Sequence, residues 1–194
     1  MRPITYLILL LLTGCTAPSL QEPIQLREQP SVEVKTRGID QLLLEAGRTF
    51  PPHSTKLKLE AAAISMQGQD YDLANRIFRT IESPYLNNEN IISYSMIHAE
   101  LALELSNPTI AIQLLEDRRF QKIPLDPENQ IKAGMLRAKA YRMGRSYLAS
   151  ARELIYINRL IPIERQRTNH EEIFSTLLQL PEETLQDQAN LSAT

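Results

Sequence analysis

The chain has 194 residues, 21 basic and 23 acidic side chains, and a formal charge of −2, so overall it lacks the cationic excess of a nucleic-acid binder. Six glycines, no tryptophan and 6% aromatics, against abundant Leu, Ile and Ala, argue for helices over a β-sandwich or barrel. One cysteine excludes an intramolecular disulfide.

Residues 1–14 read as a secretory signal: Met1-Arg2 precedes the apolar run Ile4 to Leu12, far shorter than the roughly 20 residues needed to cross a bilayer. Leu12-Thr13-Gly14-Cys15 resembles the lipobox of bacterial lipoproteins, with an ordinary cleaved signal as the alternative. The resemblance implies lipidation of Cys15, and two or more fatty chains anchor stably at about 0.8 kcal/mol per buried methylene. Thr16 stands where, in those lipoproteins, Asp favours inner-membrane retention, so the expected location is the periplasmic face of the outer membrane. Residues 15–37 carry Pro18, Pro23 and Pro30 without an apolar period and read as a tether, spanning some tens of ångströms at about 3.1 Å per residue.

From residue 38 to 194 apolar residues recur at helical spacing. Pro51-Pro52, Gly68-Gln69-Asp70, Ser83-Pro84, Asn107-Pro108, Pro124 to Pro127, Gly144 and Pro162 interrupt them. No sustained period of two marks a strand. The pattern Ala74-x-x-Ile77-Phe78 returns as Ala111-x-x-Leu114-Leu115 and Ala151-x-x-Leu154-Ile155, at intervals of 37 and 40. Such a period marks helical-repeat arrays, and Met66 through Phe78 resembles the turn and second helix of a tetratricopeptide repeat (TPR). The expected fold is all-α: about eight helices, in antiparallel pairs forming a TPR-like right-handed solenoid.

The three histidines stand far apart, and His170-Glu171-Glu172 is not the His-Glu-x-x-His zinc pattern. Without a phosphate-binding glycine loop or a serine nucleophile elbow, neither enzymatic activity, a catalytic residue, a metal nor a cofactor is expected, and no nucleic-acid partner.

Charge is distributed unevenly. Residues 118–167 hold twelve Lys or Arg against Asp126, Glu128, Glu153 and Glu164, a local charge of +8, and 168–194 hold five acids and no Lys or Arg. Arg145, Arg152 and Arg159 follow at intervals of seven, nearly two turns of the helix predicted after Gly144. Lys132 and Lys139 repeat the interval on the preceding helix. These five are the candidate partner-binding residues, because guanidinium forks grip carboxylates. The alternative is an ordinary solvated face. Tyr141, Tyr147 and Tyr156 are expected to pack between helices. Phe174, Leu177 and Leu178 need a covering helix from Pro181 onward or another chain.

The segment Glu128-Asn129-Gln130 through Ala133, Arg137-Ala138-Lys139-Ala140, Gly144-Arg145 and Ala151-Arg152-Glu153-Leu154, on to Leu177, Leu180 and Gln188-Ala189-Asn190, resembles the N-terminal helical-repeat domain of the LpoA family. Members of that family are outer-membrane lipoproteins that activate penicillin-binding proteins. The lipobox, the polar tether and the Met66-to-Phe78 repeat extend the resemblance over most of the mature chain. It implies a lipid-anchored scaffold without catalytic residues, touching a class A penicillin-binding protein in the periplasm and stimulating peptidoglycan synthesis. Family members continue into a larger α/β domain resembling periplasmic ligand-binding proteins, with no counterpart in these 194 residues. Two other functions compete: a TPR lipoprotein assembly factor of the pilotin or outer-membrane assembly type, and a peptidoglycan-binding module using the Arg145 row.

Overall fold

A computed structural model describes residues 32–186, with side chains from Gly38 on. The signal, Cys15 and most of the expected tether lie outside the described residues. Among the described residues there are helices and no strands. In chain order they are α1 (Val32–Ala46), α2 (His53–Gln67), α3 (Tyr71–Phe78), a 3₁₀ turn at Ser83–Tyr85, α4 (Asn88–Glu104), α5 (Pro108–Leu115), the single turn α6 (Arg118–Gln121), α7 (Pro127–Met143), α8 (Tyr147–Ile157) and α9 (Ile163–Leu177). A further helix begins at 182–186. Helix α1 starts six residues inside the stretch expected to be a tether.

Local chemistry sets the helix starts. Asp70, Asn87, Asn107 and Asp126 each accept a backbone N–H from three residues on, satisfying donors that the first turn leaves open, and Pro108 and Pro127 occupy first positions where no N–H is needed. Asp126 is fully exposed, and the backbone and side-chain N–H groups of Asn129 hold its carboxyl below the usual carboxylate range.

Three helix pairs, α2–α3, α4–α5 and α7–α8, share one turn. Asp70 N–H bonds the carbonyl of Ser65, Asn107 N–H that of Ala102 and Ser146 N–H that of Tyr141, at 2.9, 2.7 and 2.8 Å. The residue before each donor, Gln69, Ser106 or Arg145, takes φ of 61°, 57° or 60°. This is the Schellman closure of a helix end. Glycines 68 and 144, the sequence's turn markers, have negative φ and precede the left-handed position.

The first helices α2, α4 and α7 pack side by side, and each second helix packs on its own first helix and on the first helix of the next unit. The main core runs from Ile39 through Leu101, Leu115 and Phe120 to Ala140; a smaller one joins Ala138, Leu154, Ile157 and Ile173. Helix α7 serves both cores: Ala133, Gly134, Leu136, Ala138 and Ala140 are buried on more than one side because α4, α5 and α8 enclose it.

The third repeat differs from the expected pattern by one residue. Counting from the shared turn, Ser150, not Ala151, matches Ala74 and Ala111, and Leu154 takes the place of Phe78 and Leu115. Ile155 is 46% exposed. Ser150 is fully buried because its hydroxyl donates to the Ala138 carbonyl at 2.8 Å, satisfying the only polar group it brings to a site built for alanine.

Candidate interaction surface

The predicted arginine row is not a helix face. Arg145 sits in the α7–α8 turn, Arg152 alone lies within α8, and Arg159 follows its C-terminus. All three are exposed, and among the described residues none makes an ion pair. Lys132 and Lys139 do share a face of α7, but it is turned to α4, where Lys132 meets Glu100 at 3.5 Å and Lys139 meets Glu104 at 2.8 Å. Their charge is used within the fold.

These pairs belong to a ladder along the layer of first helices. Lys56 of α2 reaches Glu89 of α4 at 3.2 Å, the two Glu–Lys pairs join α4 to α7, and Arg142 of α7 reaches Glu172 of α9 at 2.6 Å. Arg137 is held inside: its Nε and Nη2 both lie 2.9 Å from Oε2 of Glu153 on α8, with the side chains only 15% and 24% exposed. Six of the twelve cations in the +8 window (Arg119, Lys132, Arg137, Lys139, Arg142 and Arg167) thus pair with Asp117, Glu100, Glu153, Glu104, Glu172 and Glu171. Most of those acids lie outside the window in sequence, so the +8 overstates the surface field.

Of the tyrosines, Tyr141 donates to Glu116 at the end of α5; burial first, then that carboxylate, pushes its pKa up to about 12. Tyr156 is not a packed residue: it is 51% exposed and lines a pocket with Phe120, Ile123, Leu125 and Arg137. Leu177 packs against the second core, whereas Phe174 and Leu178 are 69% and 77% exposed.

Two features escaped the sequence reading. His98 on α4 stacks on Phe78 of α3 at 4.4 Å, with Tyr94 edge-on to both rings; burial lowers its pKa, and its buried Nδ1 has no partner. The second is a groove between α7 and α9 with a volume of about 250 Å³, apolar at Ile131, Met135, Ile161 and Pro162 and polar or charged at Glu164, Arg165, Thr168, Asn169 and Glu172. Its signal was the one-sided polarity of α9 opposite apolar residues on α7, which a repeat-by-repeat reading does not compare.

Among the described residues no three His, Cys, Asp or Glu side chains stand together as metal ligands, and no helix is long and apolar enough to cross a membrane. Stacked helix pairs, one surface laced by inter-helix ion pairs and another groove left open, define a helical-repeat scaffold. The model of the family described as LppC putative lipoprotein matches residues 35–193, and the chain belongs to that family. Among solved structures it is similar to LpoA of Haemophilus influenzae, at 14% identity and a TM-score of 0.51 over 77% of this chain and 27% of that one. It is similar also to the amino-terminal domain of E. coli LpoA, at 16% identity and a TM-score of 0.51 over 80% of this chain and 70% of that one. The chain spans about a quarter of the H. influenzae structure, 27%. At these identities the likeness establishes the helical fold. No curated protein matches the chain significantly.

Proposed function

We propose that this chain is a lipid-anchored scaffold on the periplasmic face of the outer membrane, held through Cys15, that regulates peptidoglycan synthesis by contact with a class A penicillin-binding protein. The observation that carries the reading is the family match, which spans residues 35–193 and coincides with a fold like that of LpoA amino-terminal domains. The lipobox-like Leu12-Thr13-Gly14-Cys15 supports a lipid anchor for that array, and helix pairs of this kind act by presenting side chains to a partner protein.

In-cell crosslinking of the lipidated chain, with partners identified by mass spectrometry, tests it. Recovery of a class A penicillin-binding protein supports the reading; recovery of a secretin or a barrel-assembly subunit in its place moves the chain to the assembly factors. Arg145, Arg152 and Arg159, exposed and without an ion pair among the described residues, favour one second reading, an anionic peptidoglycan contact. It requires murein binding that weakens with salt and is lost when all three are changed to Glu.

A further inference from the structure

Helix α9 carries apolar residues that the fold leaves uncovered. Counting back three residues from the last residue of each first helix, Phe174 stands where Ile64, Leu101 and Ala140 stand on α2, α4 and α7. Ile64 packs against the main core, and Leu101 and Ala140 belong to it, because neighbouring helices cover this position in the inner units. Phe174 is 69% exposed, and Leu178, one turn on, is exposed as well, although the chain's next helix has begun at 182–186. Ile155 of α8, also exposed, joins Ile173 and Phe174 of α9 in lining a groove of about 420 Å³ between the two helices.

The polar rim of this groove has one sign. Asn158, Arg159 and His170 complete the lining, with no carboxylate among them. Asn169 Nδ2 donates to Asn158 Oδ1 at 2.9 Å, so Asn158 turns its own Nδ2 to His170 Nε2, also at 2.9 Å. That ring nitrogen accepts, and the imidazole proton sits on Nδ1 as a further donor. Arg159 is exposed and, like Arg152 nearly two turns earlier, makes no ion pair among the described residues. We infer that the groove docks an amphipathic helix of a protein partner, apolar on the face laid over Ile155 and Phe174 and acidic on the flank that meets Arg152 and Arg159. The shape follows from the array: a helix laid there continues the stacking that stops at α9, and its apolar face is gripped as in other helix-in-groove contacts. The charge follows from the rim, where a carboxylate finds donors and no competing anion, while a lysine-flanked helix meets like charge.

The inference rests on the scaffold reading for there being a protein partner, but its test does not depend on which one. The probe is a fluorescent, hydrocarbon-stapled peptide helix with leucines at i, i+4 and i+7 and glutamates on one flank, titrated into the detergent-solubilised full chain and followed by anisotropy. It should bind about tenfold more tightly than the same peptide with lysines for glutamates, an advantage that salt reduces. Phe174→Ser, at an exposed position, should weaken binding about tenfold with the thermal midpoint unchanged. Arg152→Glu with Arg159→Glu should reverse the preference in favour of the lysine peptide. Equal binding of the two peptides, or undiminished binding by Phe174→Ser, overturns the inference. So does self-association in sedimentation that Phe174→Ser abolishes, which gives the groove to a second copy, and so does peptide binding that appears only after residues 187–194 are removed, which gives it to the chain itself. These results leave the crosslinking test of the class A partner untouched, and a negative crosslinking result leaves the groove's preference for an acidic helix standing.

Discussion

Gly134 of α7 and Ile157 of α8 meet with no room for a methyl group: a Cβ on residue 134 would stand 2.3 Å from Ile157 Cγ2. Ile157 is fully buried and β-branched, so it cannot swing aside cheaply. Alanine would improve helix propensity by about 1 kcal/mol, but overpacking a filled interface costs about 1–3 kcal/mol, and at this separation the clash wins. Gly134→Ala should therefore lower stability by about 1–2 kcal/mol in urea unfolding, and Ile157→Ala in the same chain should be less damaging than the two single costs added. Additive costs would show that the two residues are not in contact.

The left-handed turn positions are occupied by side chains that gain nothing from being there. Gln69→Gly, Ser106→Gly and Arg145→Gly each remove a strained Cβ, an L-residue cost of about 1–2 kcal/mol that the glycine's extra chain entropy offsets in part. Each should raise the thermal midpoint. Gly68→Ala should do the same for a different reason: its φ is negative and an added Cβ meets only ordinary contacts, the nearest at 3.5 Å from the Ile64 carbonyl. A fall in midpoint for Gln69→Gly would contradict the turn geometry.

Arg137 and Lys56 are both ion-paired, yet their removal should differ. Arg137→Met strands the Glu153 carboxylate in a largely buried site and should cost about 1–3 kcal/mol, less than for a fully buried pair because both groups retain some solvent. Lys56→Met loses an exposed contact with Glu89 and should change stability by less than about 0.5 kcal/mol. Denaturant midpoints of the two variants, measured beside Glu153→Gln in the Arg137→Met background, check both.

His98 makes the fold acid-sensitive. Burial lowers its folded-state pKa below the ordinary value of 6.5, so the unfolded chain takes up the proton first. The stability it contributes is whole above the unfolded-state pKa and is lost as the pH falls toward the lower folded-state value. The urea midpoint should decline between pH 7 and pH 5, and the decline should be shallower in His98→Gln. An equal slope in the variant would assign the acid sensitivity to other groups.

The helix pairs were legible because each is announced locally: Asp70, Asn107 and Pro108 with Pro127 start helices, and the Gly68 and Gly144 neighbourhoods end them. The period of 37 between Ala74 and Ala111 is real in three dimensions. The third unit was misread by one residue because Ala151 satisfies the pattern on paper, while a serine in its proper place, Ser150, is invisible until its bond to Ala138 is seen. The cation row failed for a related reason. Spacing by seven assigns Arg145, Arg152 and Arg159 to one face only if one helix holds all three, and the α7–α8 turn and the end of α8 exclude two of them. Lys132 and Lys139 were correctly placed on one face, but their partners, Glu100 and Glu104, come from a helix some thirty residues earlier, at separations of 32 and 35 positions. Asn169 carried no signal at all, since an asparagine in a polar helix looks solvated until its neighbours are known.

The ladder of pairs from Lys56 to Glu172 leaves the first-helix layer locally compensated: each cation projects beside an anion of the adjoining helix. Alternating sources a few ångströms apart cancel within about one Debye length, roughly 8–10 Å in physiological salt, so this side of the protein exerts little pull on a molecule approaching through the periplasm. A partner docking on this side is expected to associate at the unassisted rate, on the order of 10⁵–10⁶ M⁻¹s⁻¹, nearly constant as ionic strength rises. For a chain held at a membrane as proposed above, such neutrality leaves discrimination to fit at contact.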